Sequence, residues 1–502
     1  MEGVILSSIL LVVYGMLAVS LAVFTGGIWV LLAIWLYKGR RPTPPPPTID
    51  EWPHVVVQLP LYNEQSVVER LLAAVTALDY PQDRLTIQVL DDSTDDTQQL
   101  VSRLVWHYRT QGIDIHHIRR PNRRDYKAGA LAYGQTLVDA PFIAVFDADF
   151  IPPVDFLRRT VPYFVADERL GILQARWSHL NAEQNLITRT QAMSIDGHFV
   201  IEQTARQRGG LLVSFNGTGG IWRRACIEDA GGWQGDTLTE DLDLSYRAQM
   251  RGWRFFYIPE LAVPAEIPPQ VLAFKRQQAR WAKGTTQNLL KLFLPLWRNS
   301  QLGLLQKCMG TLHLFQYIPH LLLWLLVLLT PAMLVTGQLD KLPLAPLGVV
   351  GLGAPLMYAI SQYRLYKGWA RRLLVLPVLL AAGSGLVVNN GLAVLGALLG
   401  KDEEFKRTPK FNRQSWQQSR YALRPDKTLV LECAMLVYTL WGAGLALRLN
   451  PGIMPFLLMQ AFGLAVVVGY GLMEAWALRQ HSTSTTSPKT WRSHPRPGEK
   501  KP

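Results

Sequence analysis

The sequence predicts an α/β domain set between membrane-spanning helices, and three observations carry that class. Of 502 residues, 49% are hydrophobic and only 18% charged, below the roughly 25% charged residues of ordinary soluble domains. The apolar excess lies in long runs near the two ends of the chain. Between them, residues 50–300 alternate short β-rich runs with helical periods, the pattern of an α/β domain. About 250 residues are ample for one buried core.

Residues 3–37 contain no charged side chain, enough to cross a hydrocarbon layer that needs about 20 apolar residues. Lys38, Arg40 and Arg41 follow this run, whereas a cleavable signal peptide carries its positive charge ahead of a shorter one. The helix is therefore expected to be retained, with its C-terminal end cytosolic. Pro44 to Pro47 read as a stiff polyproline spacer. Strands are expected at 55–59, 85–90, 113–118 and 142–146, and helices at 65–78, 95–107 and 126–138.

Five further apolar runs follow: 309–339, 342–363, 373–400, 433–447 and 449–473. Segment 364–372 carries four basic and no acidic residues, and segment 401–428 eight basic against four acidic. The positive-inside tendency places both on the cytosolic side, which an odd number of crossings between them forbids. Pro377, the Gly383-Ser384-Gly385 break and the pair Asn389 and Asn390 suit an interfacial or re-entrant element at 373–400. The expected organisation is a first transmembrane helix (1–41), a cytosolic catalytic domain (42–300) and transmembrane helices 2 and 3 (301–363). An interfacial element with a loop (364–428), transmembrane helices 4 and 5 (429–478) and a basic disordered cytosolic tail (479–502) complete it. This arrangement also locates the net charge of +13: the basic excess sits in the cytosolic flanks and tail, and leaves the catalytic domain roughly neutral.

A basic protein can seek nucleic acid, but no basic stripe with interleaved aromatics occurs in the central domain, so nucleic acid is not an expected partner. The lipid bilayer is. Cys226, Cys308 and Cys433 lie far apart, with neither a disulfide framework nor a zinc-ligand spacing.

Four motifs sit at or just beyond the ends of apolar runs, where open α/β folds bind ligands. In Asp91-Asp92-Ser93-Thr94-Asp95-Asp96, carboxylates leaving a strand can accept hydrogen bonds from a ribose or a base; the same residues suit a helix N-cap. Asp147 and Asp149 flank a small alanine and can hold a divalent cation shared with phosphate oxygens. In Thr239-Glu240-Asp241, Asp241 can serve as a base toward a hydroxyl. Gln277, Arg280 and Trp281 share one helical face, where Arg can bind phosphate and Trp can stack on a sugar ring. The bland alternative for this last helix is an amphipathic element at the bilayer surface, and both readings can hold together.

Taken in order, these motifs resemble the D, D-x-D, T-E-D, Q-x-x-R-W series of membrane-embedded family 2 glycosyltransferases, the group that contains cellulose, chitin and hyaluronan synthases. Ile87-Gln88-Val89-Leu90-Asp91-Asp92-Ser93-Thr94-Asp95, Tyr126-Lys127-Ala128-Gly129-Ala130-Leu131, Gln174-Ala175-Arg176-Trp177 and Phe215-Asn216-Gly217-Thr218 are similar to the cellulose-synthase-like A and C proteins, which make β-mannan, glucomannan or glucan backbones. The resemblance implies a glycosyltransferase-A-type nucleotide-sugar-binding domain inserted between one N-terminal and about four C-terminal transmembrane helices, plus interfacial helices.

Carried onto this sequence, the resemblance implies that Tyr62, Glu64 and Asp92 hold the nucleoside, with Lys127 near the diphosphate. Asp147 and Asp149 would bind Mg2+ or Mn2+ and the sugar nucleotide. Asp241 would be the base within Thr239-Glu240-Asp241, Phe215, Asn216 and Gly217 would stand beside the acceptor, and Gln277, Arg280 and Trp281 would contact diphosphate and acceptor. Phe405-Lys406-Arg407-Thr408-Pro409-Lys410 looks like the F-x-V-T-x-K gating loop, with Arg407 where that motif has Val and Lys410 toward the nucleotide. The implied activity is inverting transfer of glucose or mannose from UDP-glucose or GDP-mannose to a growing β-linked polysaccharide at the plasma or inner membrane, with an export partner in the cell envelope. The alternative is single addition to a lipid acceptor, as in ceramide or diacylglycerol glucosyltransferases. Trp29, Trp35, Tyr317 and Trp324 are offered as sugar-stacking surfaces of an export path, or as membrane-interface anchors and packing residues.

Overall fold

A computed structural model describes residues 2–401, 407–412, 416–419 and 421–484. Seven strands form one sheet: β1 (Val55–Leu61), β2 (Leu85–Asp91), β3 (Ile115–Ile118), β4 (Phe142–Val145), β5 (Leu170–His179), β6 (Gly220–Arg223) and β7 (Arg254–Ala265). Their spatial order is β3-β2-β1-β4-β6-β5-β7. β1 pairs in parallel with β2 and β4, and β2 with β3. β6 runs antiparallel between β4 and β5, while β7 is parallel to β5.

β1 to β4 are the strands the composition predicts, because a parallel sheet covered on both faces needs nearly continuous apolar runs. Val57, Leu59, Val89 and Ala144 face one layer with the helices Val68–Thr76, Thr97–Thr110 and Phe156–Ala166. Val56, Leu90, Ile143 and Val145 face the other, with Leu131 of the helix Tyr126–Gln135 and Leu244 of the helix Glu240–Met250. The expected helices at 65–78, 95–107 and 126–138 are thus present with shifted ends. β5 to β7 escape the sequence reading: β6 has four residues, and β7 contains Pro259 and Pro264 and pairs with β5 through register shifts.

Two buried amides interrupt the apolar layers. Gln58 Nε2 donates to Gln88 Oε1 at 3.0 Å, and Gln88 Nε2 donates to the Gly134 carbonyl at 3.0 Å, which ties β1 and β2 to the helix above them. Gly134 is glycine because its backbone lies on these amides: a Cβ there would stand 2.6 Å from Gln58 Nε2 and 2.8 Å from Gln88 Oε1.

The strand order reverses beside β1, and the carboxyl ends of β1, β2 and β4 open on one edge. Leu61 pairs with Asp91 and Gln58 with Val145, so Tyr62, Asp92 and Asp147 leave the sheet side by side. The loops after β1 and β2 are joined, since the Asn63 N–H donates to Ser93 Oγ and the Thr94 N–H to Asn63 Oδ1, both at 2.8 Å.

Among the described residues, four helices are long and apolar enough to cross a bilayer: Ile5–Gly39, Ile318–Val335, Thr428–Leu449 and Pro451–Gln480. They pack through Tyr14, Leu326, Met333, Ala443 and Leu457 and leave apolar residues such as Leu6, Val12, Val437 and Trp441 exposed. The 342–363 run is not the single span expected. It breaks at Gly351 and Leu352 into Ala345–Val350 and Gly353–Leu365, each too short to cross alone. The broken run nevertheless follows the first helix: Leu342 lies against Gly15, Val350 against Gly26, and Trp29 Nε1 donates to the Val350 carbonyl.

The chain between 373 and 400 forms two helices within a pair, Trp369–Gly385 and Val387–Leu398, bent by 40°. The chain on either side of 373–400 touches the α/β domain. On one side Arg372 Nη1 reaches Glu183 Oε1 at 2.8 Å, and on the other Gln270 Nε2 donates to the Leu423 carbonyl. The pair therefore leaves and regains one side of the molecule. At the opposite end Asn450 Nδ2 donates to Asp340, joining the turns that follow two of the long helices. Trp35, offered as a sugar-stacking surface, is buried and donates to the Val200 carbonyl at 3.0 Å.

Gly134→Ala is expected to lower stability by about 1–3 kcal/mol, because the added methyl overpacks a full core. Thermal unfolding of the purified protein would read this as a midpoint several degrees lower, and an unchanged midpoint would refute the packing argument.

Candidate active site

The strand ends, the helix Glu240–Met250 and the helix Val271–Arg298 enclose an open cleft. It is lined by Tyr62, Glu64, Asp92, Lys127, Asp147, Asp149, Asn216, Gly217, Thr239, Glu240, Asp241, Gln277, Arg280, Trp281 and Lys410. Four motifs scattered between Asp91 and Trp281 thus converge, joined by Lys410 from beyond residue 400. Phe215 is the exception: its fully buried ring packs on Trp222, with centroids 5.3 Å apart. Its neighbours Asn216 and Gly217 turn into the cleft, so its expected place beside the acceptor is corrected to support of the wall behind it.

The Asp91 to Asp96 string divides between its two readings. Asp92 accepts two hydrogen bonds from the Arg120 guanidinium, at 2.8 and 2.6 Å, a bidentate pair that fixes a carboxylate in orientation as well as charge. Asp95 Oδ1 instead accepts from the Thr97 N–H at the start of the helix Thr97–Thr110. Asp91 is buried, bonded to His117 and the Ser93 N–H, and held below the ordinary aspartate range: burial opposes its charge, but these hydrogen bonds outweigh it. Arg120 and Arg123, absent from the sequence-based site, complete this side. The Arg123 guanidinium lies 3.4 Å from the Tyr62 ring centroid and 4.9 Å from that of Tyr126.

Across the cleft Lys127 Nζ reaches Asp147 Oδ1 at 2.5 Å and the Gly217 carbonyl at 2.8 Å. Burial opposes the lysine charge, yet Asp147 and Glu240 hold its ammonium above the ordinary range. Asp149 is buried and paired with Lys410 Nζ at 2.7 Å. Two hard carboxylate donors so placed fit a cation of the Mg2+ or Mn2+ type, which keeps most of its shell for water and phosphate oxygens. Among the described residues, no group of three or more His, Cys, Asp or Glu forms a cage, so a cation here would need ligand oxygens to complete it.

Asp241 lies in the first turn of its helix and accepts from the Leu242 N–H at 2.9 Å. Burial, then the Glu240 carboxylate beside it, push its pKa up to about 7 against the pull of Lys127. Glu240 is also raised, mainly by burial. Gly217, at φ +82°, lets the backbone come close: a Cβ there would stand 3.0 Å from Asp241 Oδ2. Gln174 holds this loop, its Oε1 accepting from the Asn216 N–H and its Nε2 donating to the Thr218 and Gly219 carbonyls.

The helix Val271–Arg298 delivers Gln277, Arg280 and Trp281. It is anchored by the long C-terminal helices: Glu474 accepts the Val271 and Leu272 N–H groups at its start, and Lys275 Nζ pairs with buried Glu432 at 2.6 Å. Tyr317 OH donates to Gln278 Oε1 at 3.2 Å.

Of the gating-like segment, Phe405 and Lys406 lie outside the described residues. Arg407 comes within 3.5 Å of Glu64 and stacks over Tyr421. Glu64 is pushed up to about 7 by burial, against the pull of Arg407 and Lys410. Glu266, which the motifs do not include, accepts the Phe411 and Asn412 N–H groups at 2.6 and 3.0 Å and so straps this segment over the cleft.

Residues 53–284 match the family described as glycosyltransferase like family 2, and that segment is a family 2 glycosyltransferase domain. A probable glucomannan 4-beta-mannosyltransferase of Arabidopsis thaliana is 42% identical over 260 residues, 51% of this chain and 59% of the relative. A glucomannan 4-beta-mannosyltransferase from Oryza sativa subsp. japonica is 40% identical over 260 residues, 51% of this chain and 50% of the relative. The matches therefore span about half to three-fifths of these relatives' length. A mannosyltransferase from Pyrobaculum calidifontis, solved in complex with GDP-Man and Mn2+, superposes with a TM-score of 0.54 at 22% identity, over 78% of this chain and all of its own. That likeness establishes the fold as the glycosyltransferase-A type.

The raised Asp241 carboxyl has a thermodynamic consequence. A buried acid whose folded pKa exceeds its unfolded value weakens the fold as pH rises from the unfolded pKa to the folded one, and the penalty persists above. Asp241→Asn is expected to raise the thermal midpoint of the ligand-free protein at about pH 8, the gain shrinking toward pH 4. A midpoint gain independent of pH would contradict the assignment.

Proposed function

We propose that this chain is an inverting membrane hexosyltransferase that moves mannose from GDP-mannose to a growing β-linked polysaccharide. The observation that carries this reading is the convergence of Asp92, Asp147, Asp149, Asp241 and the Gln277, Arg280, Trp281 face on one cleft, with a raised-pKa carboxylate beside an open loop. The names of the plant relatives and the donor in the Pyrobaculum structure favour mannose over glucose and a 1,4 linkage.

In this reading Tyr62, Glu64, Asp92 and the Arg120 and Arg123 guanidiniums engage the nucleoside. Lys127, Arg280 and Lys410 face the diphosphate, and Trp281, Asn216 and Gly217 orient the acceptor sugar. Asp241 takes the proton of the acceptor hydroxyl as its oxygen forms a bond to the anomeric carbon, and the bond to the diphosphate breaks on the opposite face. Mg2+ or Mn2+ held by Asp147 and Asp149 would neutralise charge on the leaving diphosphate. A single displacement needs one base and gives a β bond from an α-linked donor.

The same reading makes the chain a multi-pass membrane protein with its catalytic domain cytosolic. It is supported by the four long apolar helices, by the 342–363 run beside the first helix, and by basic flanks lying against the domain. The bent pair at 373–400 is then a re-entrant element.

The purified full-length chain incubated with GDP-mannose or UDP-glucose is expected to make, from GDP-mannose, a polymer cleaved by β-mannanase. A product that remains a monoglycosylated lipid would replace this reading with single addition. Asp241→Asn is expected to reduce turnover by at least about 1000-fold while GDP-mannose binding stays within a few-fold, because the base acts chiefly in the transition state. In the wild type, turnover should fall as pH drops through about 7, where Asp241 takes up its proton. Near-normal turnover of the variant would remove Asp241 from the role.

A further inference from the structure

Behind the acceptor wall the chain makes a local change of helix type. The helix Leu186–Gly197 continues into a π-helical turn, His198–Gln203, before the helix Thr204–Arg208. Such single π-turns occur often at functional sites because they re-aim side chains. Here His198 is turned toward the loop that carries Asn216 and Gly217.

The hydrogen bonds define what this histidine must do. Asn216 Nδ2 donates to the Ser214 carbonyl at 3.2 Å, so Asn216 Oδ1 is the atom facing His198 Nε2, at 3.1 Å. That ring nitrogen has to carry a proton. His198 Nδ1 lies 2.9 Å from Glu202 Oε2, and the other carboxylate oxygen accepts from Arg206 Nε at 2.9 Å. Burial opposes the Glu202 charge, but Arg206 and then His198 hold it well below the usual carboxylate range. Both ring nitrogens thus face acceptors, which only the doubly protonated imidazolium satisfies. The charged and titratable groups around this contact include Glu202 and Arg206 on the same helical stretch, His313 from the helix Leu304–Leu314, and Tyr246, Tyr317 and Tyr358 around Glu202. Arg206 is itself fixed by the Met309 carbonyl.

The geometry points to His198 as a positioning residue for the acceptor sugar: bridging the Glu202 carboxylate and the Asn216 carboxamide, it holds the wall beside Asp241 in place. Without the ring, Asn216 Oδ1 loses its donor and the amide is free to turn away from the cleft. This inference rests on the reading of the cleft as an acceptor site.

The test measures acceptor KM, kcat and acceptor-independent hydrolysis of GDP-mannose, with β-1,4-mannotetraose as the acceptor probe. His198→Ala is expected to raise acceptor KM about ten-fold, the scale of one charge-assisted hydrogen bond, with donor hydrolysis changed less than about two-fold. His198→Gln, whose amide can donate to Asn216, should keep acceptor KM within about two-fold of the wild type. A wild-type-like KM in His198→Ala, or a ten-fold rise that persists in His198→Gln, would overturn the role of His198. Transfer that survives in Asp241→Asn would overturn the reading of the cleft instead.

Discussion

The structure depends on keeping several carboxylates in one partly desolvated cleft. Asp92, Asp147, Asp149, Glu64, Glu240 and Asp241 all line it, and ionised carboxylates without partners would be strongly disfavoured there. The fold answers with a distinct cation for half of them: Arg120 on Asp92, Lys127 on Asp147 and Lys410 on Asp149. Those cations come from the β3–β4 region and from a segment beyond residue 400, so the charge balance itself fastens distant parts of the chain together. Asp241 lacks a dedicated partner of this strength among the described contacts. Its carboxyl stays near neutrality in pKa, and that is what suits a base.

The apolar helices serve the same balance from outside. Glu474 and Glu432, on the last two long helices, fix the start of the helix that carries Gln277, Arg280 and Trp281. Asn389, in the bent pair, donates to the Lys275 carbonyl at 3.0 Å. The wall of the cleft that carries Gln277, Arg280 and Trp281 is thus set by polar contacts to helices that are otherwise apolar. Buried carboxylates at such positions lock the helix in place and in rotation, which an apolar contact alone would leave free to slide.

Much of this was legible in the sequence where one physical requirement dominated. β1 to β4 announce themselves because both faces are covered, and the motif carboxylates because they follow those strands directly. β6 and β7 stay hidden, one too short for a period and the other broken by prolines and register shifts. At the site, Asp147, Asp149, Asp241 and the Gln277, Arg280, Trp281 face line one cleft, while Phe215 turns inward and its neighbours take the cleft side of the loop. Arg120, Arg123, His198 and Glu266 could not be read. Each acts from a loop or an irregular helix, and its partner lies far away in sequence or through a turn whose geometry has no periodic signature. The 342–363 run was apolar enough to read as one helix, and only the fold reveals its break at Gly351 and Leu352.

The proposed chemistry is a single displacement with Asp241 as base, and the stereochemistry of the first new bond reports on it most directly. GDP-mannose labelled with 13C at the anomeric carbon, incubated with the full-length wild-type protein, gives a product whose one-bond carbon–proton coupling distinguishes the two anomers. A single displacement gives the β configuration in every newly formed bond. A product with α bonds would contradict it, because retention cannot arise from one base and one displacement.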